Sequence, residues 1–345
     1  MHRTSDFSYE LPPGLIAQEP LPDRAASRLL VLDRQTGAIR HQRFPALADL
    51  VQPPDVVVLN ASRVIAARLH GTRDQGDGTG PPAEILLVRE LPDQSWLALG
   101  HPGGKLKPGR RVTFGPESAI EVVEVLGEGL RRIRFIGTGA RAAIARHGEV
   151  PLPPYIRRKP TPADRERYQT VYAAHDGSVA APTAGLHFTP GLLQRLRDAG
   201  TAVVTLDLHV GPGTFQPVEV EDLDRHPMHA EAYEIGEDAA RAINERRMAG
   251  GRVWAVGTTA VRTLETVADE SGTVRAGRGD TRLFIYPPYQ FRAVDKLVTN
   301  FHLPRSTLLM LVCAFAGYEP VMRAYREAIR EGYRFYSYGD AMAVV

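Results

Sequence analysis

The run VIAARLHGT (64–72), followed by AEILLVREL (83–91), SWLALG (95–100), RRVTFG (110–115), AIEVVEVLG (119–127) and RRIRFIG (131–137), decides the fold. Each segment is short, mixes apolar with polar residues in near alternation, and is bounded by Gly, Pro or Asp, which is the pattern of half-buried strands. Six such strands in succession predict a barrel, because a closed sheet removes the exposed edges that short strands otherwise present. The connection DQGDGTGPP (74–82) reads as a flexible hairpin loop. A short helix ending at Gly148 then runs into the proline-rich PLPPYI, which sets a boundary near residue 150.

The flanks follow a different grammar. Before the barrel come the turn-rich ELPPGL (10–15), the strand-like SRLLVLDR (27–34), a turn at QTG (35–37), then PALADL (45–50) and DVVVLN (55–60). After Pro151, helix and strand alternate: PGLLQRLRDAG (190–200) with Gly200 as its stop, TAVVTLDLHV (201–210), EDAARAINERRMAGG (237–251), RVWAVG (252–257), TAVRTLETVA (259–268), RLFIY (282–286) and two closing helices. The expected architecture is an α/β (α+β) core domain, residues 1–64 plus 151–345, interrupted by a small β-barrel domain, residues 65–150.

Composition bounds the function. A chain of 345 residues with 43% hydrophobic and 24% charged residues excludes disorder and favours two domains or one with a large insertion. No stretch approaches the roughly 18 consecutive apolar residues of a membrane span, and MHRTSDFSYE lacks a signal pattern, so the expectation is a soluble, cytoplasmic protein with no membrane association. The single Cys313 lies in LLMLVCAFAG (308–317), where it reads as a small buried hydrophobe; redox and Cys-based zinc chemistry are not expected. Net charge is only +2, yet residues 100–170 hold fourteen Lys or Arg against seven Asp or Glu. Such a field attracts polyanions such as RNA, and a solvated basic face would look the same.

Four loop segments combine glycine, proline and polar groups beside apolar elements. APTAGLHFT (181–189) places His187 and the hydroxyls of Thr183 and Thr189 on a turn where Gly185 permits close backbone approach; alternatively, Thr189 caps the helix that Pro190 begins. DLHVGPGTF (207–215) sets His209 and Gly213 in a tight loop whose amides can face a ribose or carboxylate, although GPG also closes ordinary hairpins. HPMHAEAY (226–233) puts His229, Glu231 and Tyr233 on one face if extended, suited to acid/base work; a metal site there lacks HExxH spacing and has Pro227 against a helix. In RVWAVGTTAVRTLE (252–265) a strand ends at Gly257 and Thr258 and Thr259 open a helix whose dipole favours a carboxylate or phosphate. The alternative there is a simple Thr cap with Arg262 and Glu265 as an exposed pair. Further on, Asn300 and His302 precede an almost wholly apolar helix, as in a base pocket or a buried helix cap. Dinucleotide, Walker, GxSxG and CxxC patterns are absent, which leaves an α/β enzyme with RNA as a compatible substrate.

Together, APTAGLHFT, HVGPGTFQPV, HPMHAEAY, VWAVGTTAVRTLE, TRLFIYPPYQF, VDKLVTNFHLPRSTLLMLVCAF and YRFYSYGDAM resemble the S-adenosylmethionine:tRNA ribosyltransferase-isomerase family of queuosine biosynthesis, and the N-terminal YELPPGLIAQEPLPDRAASRLLVLDR and VVVLNASRVIAARL fit as well. The resemblance spans nearly the whole chain and implies an α/β domain with a small β-barrel. It also implies a tRNA substrate carrying 7-aminomethyl-7-deazaguanine at the wobble position, with S-adenosylmethionine as ribosyl donor and co-substrate. The products would be epoxyqueuosine in tRNA, adenine and methionine. No cofactor, no metal and no obligate protein partner are implied, and a monomer is expected.

That chemistry requires a base to take a proton from the 5′ carbon beside the sulfonium. On this resemblance His229 or His187 is the base, and Glu231 is its orienter or the sulfonium's counter-charge. Asn300 and His302 surround adenine or the deazaguanine, while Thr183, Gly185, His209 and Gly213 line the substrate. Thr258, Thr259 and Arg262 take the methionine carboxylate, and Arg157, Arg158 and Lys159 take tRNA phosphates. Two positions depart from the family's usual text: Ala61 stands where an Asp is usual, which removes any acid role there, and Pro288 replaces a Gly in the YPPY turn. Two rival readings are a non-catalytic tRNA-binding module and a metal-dependent hydrolase built on His209, His226, His229 and Glu231.

Overall fold

The computed structural model describes residues 2–74, 80–127, 129–215 and 217–345; most of the connection read as a flexible hairpin loop (residues 75–79) lies outside the described residues. In chain order, β1 (Arg28–Leu32) and β2 (Ile39–Arg43) form a hairpin, α1 (Leu47–Leu50) leads to β3 (Val56–Asn60), and β4 (Ser62–Val64) carries the chain to the barrel. The barrel strands are β5 (Arg68–Arg73), β6 (Pro82–Glu90), β7 (Trp96–His101), β8 (Arg111–Gly115), β9 (Ser118–Val125) and β10 (Leu130–Gly137), followed by α2 (Ala140–His147) and a two-residue β11 (Gly148–Glu149).

These strands run β5-β6-β7-β10-β9-β8 and close through β5 against β8, where Thr72 faces Thr113. Alternation drives the closure: Ala83, Ile85 and Leu87 of β6 and Ile120 and Val122 of β9 point into one apolar cluster with Trp96 and Ile133. Gly71 sits at the seam, where a Cβ would fall 2.5 Å from the Thr113 carbonyl oxygen, so only glycine lets the two strands meet. One expectation is corrected here. The run 64–72 is not a single strand, because residues 62–64 pair in parallel with residues 175–178 before the chain turns into the barrel.

Then follow α3 (Asp164–Arg167), β12 (His175–Ser178), α4 (Pro190–Asp198), β13 (Ala202–Leu208), β14 (Glu231–Ile235), α5 (Glu237–Met248), β15 (Val253–Val256), α6 (Thr258–Val267), β16 (Gly277–Thr281), β17 (Lys296–Asn300), α7 (Thr307–Ala316), α8 (Tyr318–Arg330) and β18 (Ala341–Val344). Nine strands form one mixed sheet in the order β16-β14-β13-β3-β15-β17-β18-β1-β2, with β13, β3, β15 and β17 parallel. The unbroken apolar run of β3 follows from burial on both faces. Val56 and Val58 pack toward α5, α6 and α7, while Val57 and Leu59 pack toward Phe44, Phe188 and α4.

Helix α4 resolves the alternative for Thr189, whose hydroxyl accepts the Leu192 N–H at 3.1 Å as an N-cap, with Pro190 in the first turn. One other expectation is corrected, and one strand was not anticipated. RLFIY is not a strand: the strand is the preceding GRGDT, and the chain leaves the sheet where the Leu283 N–H donates to Thr281 Oγ1 (3.2 Å) and the Leu283 carbonyl accepts from Arg262 Nε (3.0 Å). After the closing helices, β18 inserts between β17 and β1, and its four small and apolar residues are too few to stand out as a strand. Among the described residues no single helix is long and apolar enough to cross a membrane; α7 is apolar all round because it is a core helix, and it meets α8 at a bend of 116°. Burial pushes the Cys313 thiol pKa up, which agrees with an inert packing residue.

Candidate active site

The parallel strands β13, β3, β15 and β17 all deliver their carboxyl ends to one edge of the sheet, where ligands bind in open α/β folds. The loop after β13 brings Val210 to Thr214, β15 brings Gly257 to Thr259, and β17 brings Asn300 to His302. Asn60, the last residue of β3, fastens this edge. Its amide nitrogen donates to the Leu208 carbonyl (3.0 Å) and Thr259 Oγ1 (3.1 Å), and its oxygen accepts the N–H groups of Ser62 (3.0 Å) and Leu208 (3.1 Å). Sequence reasoning missed this residue, although a polar side chain closing the apolar run VVVLN was the available signal.

Three adjoining spaces lie along this edge. An inner chamber of about 50 Å³ is walled by Thr183, Thr258, Asn300, His302 and Tyr336. It shares Val210, Thr214, Thr258, Thr259 and Leu308 with a main cavity of about 350 Å³, which adds Gly213, His229, Glu231 and Arg262. The main cavity in turn shares Gly211, Gly213, His226 and the 227–229 turn with a cleft of about 1190 Å³ between the sheet edge and the barrel residues Trp96, Leu97, Leu99 and Leu130.

In the main cavity, Arg262 and Glu231 form a buried ion pair through Nη1 and Oε2, and the Gly211 N–H donates to Glu231 Oε1 at 2.8 Å. Arg262 Nη2 is buried and has no hydrogen-bond partner among the described residues. Helix α6 begins here at Gly257, whose φ of +87° suits glycine, and no side chain caps its first turn. The reading of Arg262 and Glu265 as an exposed pair is therefore corrected: both are buried, and Glu265 instead accepts the N–H groups of Arg292 (2.9 Å), Ala293 (3.0 Å) and Val294 (3.1 Å) beyond the turn that carries Pro288. Burial raises the Glu265 pKa, against the pull of those hydrogen bonds.

The inner chamber is lined by neutral groups. Burial holds the His302 pKa down at about 3, and its Nε2 meets Thr299 Oγ1 at 2.6 Å. His187 does not reach the chamber: it lies behind Asn300, with Nδ1 2.8 Å from Ser27 Oγ and Nε2 3.3 Å from Asn300 Nδ2, and burial, with Arg24 second, holds its pKa at about 3. Gly185 also lies behind the wall, and its close approach is to Tyr172, whose hydroxyl would be 2.0 Å from a Cβ. At Gly213 a Cβ would fall 2.4 Å from His229 Cδ2, so this glycine makes room for the imidazole. His209 lines only the cleft, and burial lowers its pKa despite Asp207. Tyr233 borders none of the three spaces and packs instead against the buried cluster of Ala180, Leu208 and Val210.

The basic segment is largely committed to the fold. Arg158 forks onto Asp164 (2.7 and 2.8 Å), whose pKa lies well below the usual range because Arg158, Thr161 and Tyr338 outweigh the effect of burial. Arg158 is thereby corrected from a phosphate ligand to a structural ion pair, while Arg157 and Lys159 stay exposed. Arg131 turns inward onto the carbonyls of Leu106 (3.1 Å) and Gly103 (2.6 Å), and Arg132 pairs with Asp93. At the cleft, Arg141 and Arg282 are exposed, beside a stack in which Phe284 lies 5.3 Å from His226 and 4.8 Å from Tyr286. Among the described residues, no group of three or more His, Cys, Asp or Glu is placed to hold a metal ion.

The sequence matches the family model described as "Queuosine biosynthesis protein" over residues 4–344. It is 53% identical to the S-adenosylmethionine:tRNA ribosyltransferase-isomerase of Symbiobacterium thermophilum, over 99% of this chain and 100% of that one. The protein of that name from Moorella thermoacetica is 51% identical over the same shares. Among solved structures, an S-adenosylmethionine tRNA ribosyltransferase from Thermotoga maritima matches with a TM-score of 0.56 and 38% identity, over 99% of this chain and 100% of that chain.

Proposed function

Because the chain belongs to the queuosine biosynthesis protein family, whose matched relatives are tRNA ribosyltransferase-isomerases, we propose that it transfers and isomerises the ribosyl group of S-adenosylmethionine onto 7-aminomethyl-7-deazaguanine at the wobble position of tRNA. The products are epoxyqueuosine-tRNA, adenine and methionine, and the reaction takes place in the cytoplasm. The observation that carries this reading is the continuity of the three spaces, which gives two dissimilar substrates separate approaches to one junction. The inner chamber and main cavity together offer room for a small sulfonium nucleoside. A base on a large polyanion enters from the cleft, where aromatic faces can stack on it and Arg141 and Arg282 can meet phosphates.

His229 lines both the main cavity and the cleft, so it stands where the two substrates meet and is the candidate to take the 5′ proton. The resulting carbanion is stabilised by the neighbouring sulfonium; adenine departs with the electron pair of its glycosidic bond, the ribose rearranges as the aminomethyl nitrogen bonds to it with loss of a proton, and methionine leaves with the C–S bonding pair. General-base assistance contributes about 10²–10⁴-fold, and alignment of the sulfonium, ring carbons and amine contributes more. Glu231 accepts from Arg262 and the Gly211 N–H, and its role is to hold that guanidinium in the cavity. The uncapped start of α6 and Arg262 Nη2 take the methionine carboxylate.

The test is incubation with labelled S-adenosylmethionine and tRNA bearing the aminomethyl base. Free adenine is expected, and none with tRNA lacking that base. Absence of adenine with verified substrate tRNA would end the assignment, and a His229→Ala variant that turns over normally would remove His229 as the base.

A further inference from the structure

The inner chamber ends on a side chain whose orientation the surrounding groups fix completely. Asn300 is 2% exposed, and its Nδ2 faces the carbonyls of Tyr336 (3.0 Å) and Asp340 (3.4 Å) and His187 Nε2 (3.3 Å). The reversed amide would set an oxygen against two carbonyl oxygens, so the nitrogen belongs there. The imidazole is fixed as well. Ser27 Oγ has one hydrogen and donates it to the Arg24 carbonyl at 3.2 Å, so it accepts from His187 Nδ1–H at 2.8 Å. Nε2 of His187 then carries a lone pair and accepts from Asn300. A protonated His187 would set an Nε2–H against the Asn300 N–H, and the buried, neutral imidazole avoids that.

This relay of Arg24 carbonyl, Ser27, His187 and Asn300 leaves Asn300 Oδ1 buried, unable to turn away and without a hydrogen-bond partner among the described residues. Asn300 lines the inner chamber. An unpaired buried carbonyl is costly, so the chamber favours a ligand edge that donates and disfavours one that accepts. At about 50 Å³ the chamber admits the edge of a planar ring, with the rest of the ligand in the adjoining cavity.

We infer that Asn300 Oδ1 selects an amino-substituted purine edge, receiving the exocyclic 6-amine of the donor's adenine, and that His187 is a positioning residue that fixes Asn300 for this purpose. The inference rests on the function proposed above. A 6-oxo purine would bring an acceptor against Oδ1, and sites that hydrogen-bond a substrate N–H reject analogues lacking it by factors reaching about 10⁴.

The experiment compares S-adenosylmethionine with its 6-oxo analogue, measuring kcat/KM for purine release with tRNA carrying the aminomethyl base. The wild-type protein should prefer the amino donor by at least about 100-fold. Asn300→Ala should bring the ratio below about 10, and His187→Phe should lower it, chiefly through KM for the amino donor. His187→Gln, whose amide oxygen can accept from Asn300, should restore much of it. A wild-type protein that uses both donors within about 2-fold would overturn the inference while leaving the proposed activity intact. A protein that releases no purine from either donor would instead defeat the activity on which it rests. Should Asn300→Ala fail to fold, the wild-type ratio and the two His187 variants still decide the question, and His187→Phe with an unchanged ratio would remove the relay.

Discussion

Replacement of Arg262 by lysine tests the main cavity most directly. The arginine is 7% exposed at its side chain and uses three nitrogens differently: Nη1 meets Glu231, Nε donates to the Leu283 carbonyl at 3.0 Å, and Nη2 is unsatisfied. Lysine keeps one cation for Glu231 and gives up the other two positions. Loss of the Leu283 bond costs about 1 kcal/mol of stability, a small change for a chain of this size. If Nη2 binds the donor's carboxylate, the lost charge-assisted hydrogen bond is worth about 1.5–3 kcal/mol, which is about 10- to 150-fold in affinity. The assay is the initial rate of adenine release as S-adenosylmethionine is titrated at saturating tRNA, beside a thermal melt. KM for the donor should rise by about that factor while kcat and the melt change little. By contrast, Arg262→Ala strands Glu231 as a buried unpaired charge and should destabilise the fold by about 3–5 kcal/mol. A folded Arg262→Lys enzyme with unchanged KM, or with kcat alone reduced, would refute the carboxylate role.

Three further outcomes follow from the same structure. His187 and His302 are held at pKa values of about 3 against an ordinary 6.5, so the unfolded chain binds protons that the folded chain refuses. Their contribution is complete above about pH 6.5 and is lost as pH falls toward 3, by an amount on the order of 4 kcal/mol each. Acid unfolding of His187→Gln and His302→Gln should show a shallower dependence of stability on pH across this window, and slopes equal to wild type would contradict the burial argument. At the cleft, Arg141→Ala and Arg282→Ala should each raise KM for tRNA and reduce the salt slope of binding by about 1, with KM for S-adenosylmethionine unchanged. Arg158→Ala should instead lower the melting temperature, because it frees a buried Asp164; an unchanged salt slope in both cleft variants would place the tRNA elsewhere.

The sequence made the barrel legible because alternation and turn residues are local properties, as in Ala83, Ile85 and Leu87. It also exposed the site loops, since glycine, proline and polar residues accumulate where parallel strands end and helices begin. It could not rank the residues within those loops, because each role depends on a partner far along the chain. His187 looks like a base until Ser27, 160 residues earlier, takes its Nδ1–H, and Asn300, 113 residues later, meets its other nitrogen. The contact of Glu231 with Arg262, 31 residues away, cannot be read from its loop, because only α6 brings the two together. Arg157, Arg158 and Lys159 read alike as a basic triplet, and only the turn at Asp164 separates the middle one from its neighbours. Strand β18 is invisible for a related reason: four residues become a strand only because β17 and β1 leave a gap of that width.

These placements share an electrostatic logic that a cationic donor would require. A sulfonium carries its charge into the cavity, so a protonated imidazole beside it would oppose binding, and the two histidines nearest the inner chamber are held neutral by burial at any pH well above 3. The cation that does line the main cavity, Arg262, is offset by Glu231, which leaves its spare nitrogen able to meet a carboxylate while its full charge is not felt by the sulfur. Two further arginines, Arg141 and Arg282, stand on the walls of the cleft among the carboxylates Glu90, Asp176 and Asp224, where they can meet individual phosphates of a polyanion. Neutral groups line the inner chamber, and the carboxylates Glu219 and Glu231 border the main cavity beside the single guanidinium of Arg262, which suits a small cationic donor. Affinity for S-adenosylmethionine, which meets one paired arginine, should therefore depend on salt far less than affinity for tRNA, and equal salt slopes for the two would contradict this placement.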